Sequence, residues 1–142
     1  MKTQYLLFVC LVLGSVLFGT GCLNGNVNFG GKVTFSDDGS PLTMGTVCFE
    51  SPGFLARGEL DKDGKYDLGS LSASDGVPKG TYQVYITGAA KGGTNDRGEL
   101  VPIPLIDPKF TSANTGMTVT IDGNSKSYDI KVDRYQENAK KK

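Results

Sequence analysis

The chain contains no histidine and no tryptophan, and only three cysteines in 142 residues. Without histidine there is no imidazole to activate a serine or cysteine nucleophile near neutral pH. Without tryptophan, any sugar-stacking surface has only tyrosine and phenylalanine to draw on. No apolar stripe of useful length recurs at helical spacing, which removes bundles and α/β folds from consideration. Neither charge is in excess: 15 lysine and arginine residues stand against 15 aspartate and glutamate residues. Such balance argues against the basic footprint of a nucleic-acid-binding protein.

What is present first is an amino-terminal leader. Lys2 is the only charge before the run from Tyr5 to Phe18, "YLLFVCLVLGSVLF". That run is short of the roughly 20 apolar residues needed to cross a bilayer. A basic start, a short apolar stretch and then the small residues of "FGTGC" describe an export signal covering residues 1 to 21. Thr20, Gly21 and Cys22 resemble a bacterial lipoprotein signal, in which the cysteine is acylated through its sulfur and begins the mature chain. Gly19 stands where that signal prefers leucine, which leaves cleavage by an ordinary signal peptidase as the alternative. Acyl chains contribute about 0.8 kcal/mol per buried methylene, so lipidation at Cys22 is expected to hold the protein at a membrane surface without a spanning helix. Leu23 follows the cysteine in place of the aspartate that marks inner-membrane retention, which points to a cell-envelope location at the outer membrane.

Cys10 leaves with the leader and Cys22 is committed to lipid, so Cys48 is the one remaining thiol and no intramolecular disulfide is expected. An exported domain of this kind must be stable on its packing alone. Removing the leader leaves 121 residues, enough for one domain. They carry 14 basic and 15 acidic side chains.

Beyond a polar tether at residues 22 to 29, the chain reads as short strands separated by glycine, proline and aspartate turns. In "GGKVTFS", Gly31, Val33 and Phe35 share one face while Lys32 and Thr34 take the other. In "GTVCFES", Val47 and Phe49 face inward, so Cys48 is expected to point outward as a semi-exposed small residue. Ala56, Gly58 and Leu60 alternate, Tyr66 and Leu68 resume that face, and Tyr82, Val84 and Ile86 form another row. Met117, Val119 and Ile121 precede a turn, after which Tyr128, Ile130 and Val132 return. Six or seven such strands predict an all-β fold: a single antiparallel β-sandwich over residues 30 to 133, followed by a basic tail at residues 134 to 142 that ends in "NAKKK".

The stretch "DKDGKYDLG", residues 61 to 69, gathers carboxylates around a glycine in the manner of a calcium loop. An EF-hand loop needs oxygen ligands at its first, third and fifth positions, glycine at the sixth and glutamate at the twelfth. Counting from Asp61, the glycine comes at the fourth position, Lys65 takes the fifth and Ser72 the twelfth, so the calcium pattern fails. The segment reads instead as a solvated hairpin tip, in which Asp61 and Asp63 serve the turn and Gly64 supplies a positive φ. No catalytic residue, metal site or cofactor is expected.

The order of these segments also carries a resemblance. Asp63-Gly64-Lys65-Tyr66, Pro78 with Gly80-Thr81-Tyr82, and Pro108-Lys109-Phe110 followed by Thr115-Gly116 resemble the small envelope lipoproteins of planctomycetes, described as transthyretin-like or carboxypeptidase-regulatory-like domains. The resemblance covers roughly residues 30 to 133. It implies a prealbumin-like sandwich and a cell-envelope location, and it implies no activity.

Residues 88 to 106, "GAAKGGTNDRGELVPIPLI", are expected as a long excursion between two core strands, with Lys91, Asn95, Asp96, Arg97 and Glu99 as a candidate binding loop. Two non-enzymatic roles follow. One is a membrane-anchored module that presents its loops to an envelope protein or the cell-wall matrix; the other is a carbohydrate-binding module that uses Tyr85 and Phe54. An internal lysine–asparagine isopeptide bond, which related surface domains can form, is disfavoured at Lys32 because its strand parity points the amine outward.

Overall fold

The computed structural model describes residues 25–72 and 75–136, so the leader, Cys22 and the last six residues lie outside the described part. Nine strands follow in order: β1 (Gly30–Phe35), β2 (Thr46–Ser51), β3 (Phe54–Glu59), β4 (Lys65–Asp67), β5 (Gly80–Thr87), β6 (Ala90–Thr94), β7 (Leu100–Pro104), β8 (Thr118–Ile121) and β9 (Ile130–Val132). The described residues contain no α-helix, only two single 3-10 turns at Pro108–Phe110 and Ala113–Thr115.

Seven strands make two sheets, in the orders β4–β1–β9 and β3–β2–β5–β8. One continuous core draws Val33, Phe35, Tyr66, Ile130 and Val132 from the first sheet and Val47, Phe49, Ala56, Val84 and Ile86 from the second. The fold is therefore a β-sandwich whose sheets bury the alternating positions read from the sequence. Every neighbouring pair is antiparallel except β1 and β9, which run parallel, with Val33 opposite Ile130 and Phe35 opposite Val132.

Phe49 sits near the centre of β2, fully buried, with ring contacts at 5.9 Å to Phe29 and 6.2 Å to both Tyr66 and Tyr82. Offset and edge-on aromatic pairs of this kind bind the two sheets together beyond their area burial. Gly31 has no side chain for a reason of space: a Cβ there would collide with the Tyr128 carbonyl across the sheet. Tyr66 reaches over Gly31 on the inner face of its own sheet and donates its hydroxyl proton to that same carbonyl at 2.6 Å.

The Asp61 turn differs from a simple hairpin tip. Asp61 Oδ1 accepts from the amides of Asp63 and Lys65, each at 2.8 Å, and Gly64 takes φ +73°. The strands leaving this turn do not form one ladder. They touch again at Arg57 and Gly69, but between those points β4 takes its register from β1. The turn therefore carries the chain from one sheet to the other, because Tyr66 and Leu68 must enter the core under Phe49 while β3 stays beside β2.

Both ends of the domain lie further out than the alternation predicted. Val27, expected within the tether, forms a bridge with Val77, and Phe29 is buried. Arg134 and Tyr135, expected at the start of a tail, bond to the chain around Leu105 and Ile106.

Candidate functional site

The excursion at residues 88 to 106 is a β-ribbon and not an irregular loop. β6 and β7 pair only with each other, with Gly92 opposite Pro102 and Thr94 opposite Leu100. The ribbon is rooted by Ala89 and Ile106, both in the core, and by a hydrogen bond from Leu105 N–H to the Ala89 carbonyl at 2.9 Å. None of its strand residues is buried, and Leu100 is 87% exposed. Glycine and proline are poor strand formers, which hid this element in the sequence.

Asn95 organises the tip. Its side-chain oxygen accepts from the amides of Arg97 and Glu99, both at 3.0 Å, while its amide nitrogen donates to the Glu99 carboxylate at 2.7 Å. Gly98 closes the turn at φ +75°. Of the five candidate loop residues, Asn95 and Glu99 are thus joined as structure, and Lys91, Asp96 and Arg97 stand exposed along the arm and its end.

A second polar cluster lies where β9 ends, and the sequence reading missed it. The Arg134 guanidinium lies over the Phe35 ring at 3.7 Å, donates from Nε to Asp37 at 2.8 Å, and donates from Nη2 to Asp38 and Ser40, also at 2.8 Å. Lys109 and the Ser36 hydroxyl both donate to Asp133. These groups flank a cleft of about 370 Å³. Hydrogen bonds from Ser40, aided by Arg134, hold the Asp38 carboxyl down at about 2, and those from Lys109 and Ser36 lower Asp133. Arg134 with Asp37 and Asp38, and Lys109 with Asp133, pair their charges, so the cluster latches the β1 turn to the end of β9. Its one sequence signal is parity: Tyr128, Ile130, Val132 and Arg134 fall on alternate positions.

Asp75 is a further unanticipated anchor. Its carboxylate accepts from the amides of Ser70, Leu71 and Ser72 at 2.6, 3.0 and 3.1 Å, and these bonds hold its pKa below the usual carboxylate range. Beside it, the gap where β3 and β4 part forms a cleft of about 570 Å³ whose walls carry both signs of charge, from Arg57, Glu59, Lys65 and Asp67. Among the described residues no group of three or more histidine, cysteine, aspartate or glutamate side chains gathers as metal ligands do.

Cys48 corrects one expectation. It lies outside the core cluster, yet it is only 3% exposed instead of semi-exposed. Its neighbours in register, Arg57 and Tyr85, flank it on the outer face of the sheet, and its sulfur lies 3.9 Å from the Thr87 hydroxyl. A short side chain in a row of long ones is covered by them, and burial pushes the thiol pKa up. The aromatic pair considered for sugars also separates. Phe54 packs inward, edge-on to Tyr82 at 6.0 Å, whereas Tyr85 lies on the opposite face of that sheet.

No family model matches the chain, and no curated protein matches it. Among solved structures, it is similar to BcpA, the major pilin subunit of Bacillus cereus, with a TM-score of 0.45 and 14% identity. That similarity covers 78% of this chain and 30% of the pilin, and a variant form of the pilin gives the same TM-score at 16% identity. A 9R-lipoxygenase from Cyanothece is similar at a TM-score of 0.37 and 16% identity, covering 84% of this chain and 19% of the enzyme. The chain thus spans under a third of either protein, and neither likeness transfers an activity.

Proposed function

We propose that this protein is a non-catalytic cell-envelope lipoprotein: a β-sandwich moored through acyl chains on Cys22, at the outer membrane, which presents the β6–β7 ribbon to a protein or cell-wall partner. The observation that carries this reading is the ribbon itself. A stretch of chain between two core strands leaves the sandwich, pairs only with itself and returns, with its root buried and its length exposed. Ordering such an arm costs conformational entropy that strands with no fully buried residue offset little, which is the expectation for a contact surface and not for a packing element.

The chemistry of the remaining surface agrees. The one thiol among the described residues is covered, and the chain has no histidine to serve it as a base. Among the described residues no helix is long and apolar enough to cross a membrane, so membrane attachment in this reading falls to the lipid. The carbohydrate-binding alternative lacks a platform, because Phe54 and Tyr85 do not share a face. The transthyretin-like resemblance in residues 30 to 133 is consistent with this assignment and adds no activity to it.

The test is a pull-down from detergent-solubilised envelope with the tagged native protein, set beside a variant lacking residues 90 to 104. A partner captured by the first and lost with the second supports the reading, and identical captures refute it. Incorporation of radiolabelled palmitate that stops with Cys22→Ser checks the anchor separately.

A further inference from the structure

The two edges of the ribbon differ in a way that identifies what the arm can hold. In an antiparallel ladder, alternate residues either exchange hydrogen bonds with the partner strand or aim their amide and carbonyl away from it. Asn95 N–H bonds the Glu99 carbonyl at 3.0 Å, and Leu105 N–H bonds the Ala89 carbonyl at 2.9 Å, which sets the phase. Ala90, Gly92 and Thr94 therefore turn their backbone groups outward on β6, and Leu100, Pro102 and Pro104 do so on β7. Two of the three outward positions on β7 are prolines, which have no N–H to donate, so that edge is closed to another strand. The β6 edge has no such block. Its Gly92 and Thr94 amides face solvent, both residues are exposed, and Gly92 has no atom within 4 Å of where a side chain would begin.

We propose that the β6 edge pairs antiparallel with β6 of a second copy of this chain, joining two ribbons into one four-stranded sheet. This rests on reading the ribbon as a contact arm and does not depend on the lipid anchor. The occupant follows from self-complementarity. Only one two-fold register matches all three outward residues, the one centred on Gly92, where Gly92 faces the partner's Gly92 and Thr94 faces the partner's Ala90. Each Gly92 N–H then bonds the partner's Gly92 carbonyl, and each Thr94 N–H bonds the partner's Ala90 carbonyl. The Ala90 amide keeps its existing bond to the Gly88 carbonyl at 2.9 Å.

Side chains permit this register. On the odd-numbered face Lys91 lies opposite the partner's Gly93, so no side chain opposes it across the pair. Diagonal to Lys91 stand the partner's Asn95, whose amide holds the Glu99 carboxylate at 2.7 Å in each copy, and, across the axis, the partner's Lys91. Lys91 is exposed on that face, so the two ammonium groups extend into solvent on either side of the axis and stay hydrated. Gly92 at the axis puts no side chain on either face of the seam, while Gly93 is required within the ribbon itself, where the Ile103 side chain occupies the space a Cβ would take.

The test uses the full chain in detergent micelles, followed by sedimentation equilibrium across a concentration series. The native chain is expected to show reversible monomer–dimer association, and Gly92→Pro to weaken it at least about tenfold, because the proline removes the outward donor at the axis and no bond to β7. Gly92→Cys gives an independent readout. Residues opposed in a bonded antiparallel pair have Cα atoms about 5.5 Å apart, within disulfide reach, so mild oxidation is expected to link two copies through position 92. Asp96→Cys at the tip is not expected to form this link. A native chain that stays monomeric across the series, or a Gly92→Pro variant that associates as tightly as the native chain, overturns the proposal. A partner that Gly92→Pro still captures and that removal of residues 90 to 104 loses also overturns it, while leaving the contact-arm reading in place.

Discussion

The Arg134 guanidinium carbon lies 3.7 Å from the Phe35 ring centroid, while the same group forks onto Asp37 and Asp38. The side chain closes one end of the sandwich by covering the rim of the core and tying the β1 turn to the strand that runs parallel with β1. A lysine at this place keeps the charge and loses the fork and the stacked plane. Arg134→Lys is expected to lower Tm by a few degrees, and Arg134→Ala by at least as much, with the difference from the native protein narrowing in molar salt. Thermal unfolding followed by circular dichroism at two salt concentrations checks this.

Phe49 is the most connected ring of the core, and its loss leaves a void between sheets held by Phe29, Tyr66 and Tyr82. Phe49→Ala is expected to cost about 3–5 kcal/mol, and Phe49→Leu distinctly less. Urea titration gives both values; a cost near zero for the alanine variant would remove this residue from the centre of the fold.

The pH dependence has two limbs of opposite origin. Asp38, Asp61, Asp75, Asp122 and Asp133 are all held below the ordinary carboxylate range by hydrogen bonds in the folded chain. A depressed folded pKa contributes stability that is present above about pH 4 and fades as the pH falls toward 2. Tyr66, Tyr82 and Tyr85 are shifted the other way by burial, Tyr85 to about 12. Raised folded values contribute stability that is complete below about pH 10 and is lost as the pH climbs past it. Unfolding midpoints measured from pH 2 to 12 are expected to form a plateau with both shoulders, and Tyr66→Phe to soften the alkaline one.

Asp75 binds three consecutive amides, so its carboxylate takes the place of a backbone partner for the segment from Ser70 to Ser72. Asp75→Ala is expected to speed hydrogen exchange at those amides by about tenfold or more, while exchange in β2 and β5 stays unchanged. Uniform acceleration across the domain would show that the loop is coupled to the core instead of anchored locally.

Cys48 is covered by Arg57, Tyr85 and Thr87 and its thiol is kept protonated. Alkylation of the Cys48 peptide, read by mass spectrometry, is expected to be about a hundredfold slower in the native protein than in denaturant. Equal rates would contradict its burial.

The core was legible because period-two alternation is strict wherever one face must be dry. Tyr82, Val84 and Ile86 are all buried, as are Val47 with Phe49 and Ile130 with Val132. Pairing between strands was not legible. The parallel partnership of β1 with β9 joins residues almost a hundred positions apart, and nothing local to either strand encodes it. The ribbon escaped notice because Gly92, Gly93, Pro102 and Pro104 violate strand propensity, although "TNDRGE" already had the composition of a hairpin tip. Arg134 was hidden because a charged residue at the end of alternation reads as the start of a tail until the Phe35 ring beneath it is seen.

Val27 already pairs with Val77, and the ring of Phe29 is already under cover, only a few residues after the expected acylation point. Val27 lies five residue steps beyond Cys22, and a stretched chain gains at most about 3.6 Å for each. If Cys22 carries the proposed lipid, the sandwich would ride within roughly 18 Å of the lipid surface, close to the headgroups and unable to range into the surrounding compartment. Copies held at that height share a thin layer where lateral encounters are frequent, so contacts too weak to form in dilute solution gain from confinement to two dimensions.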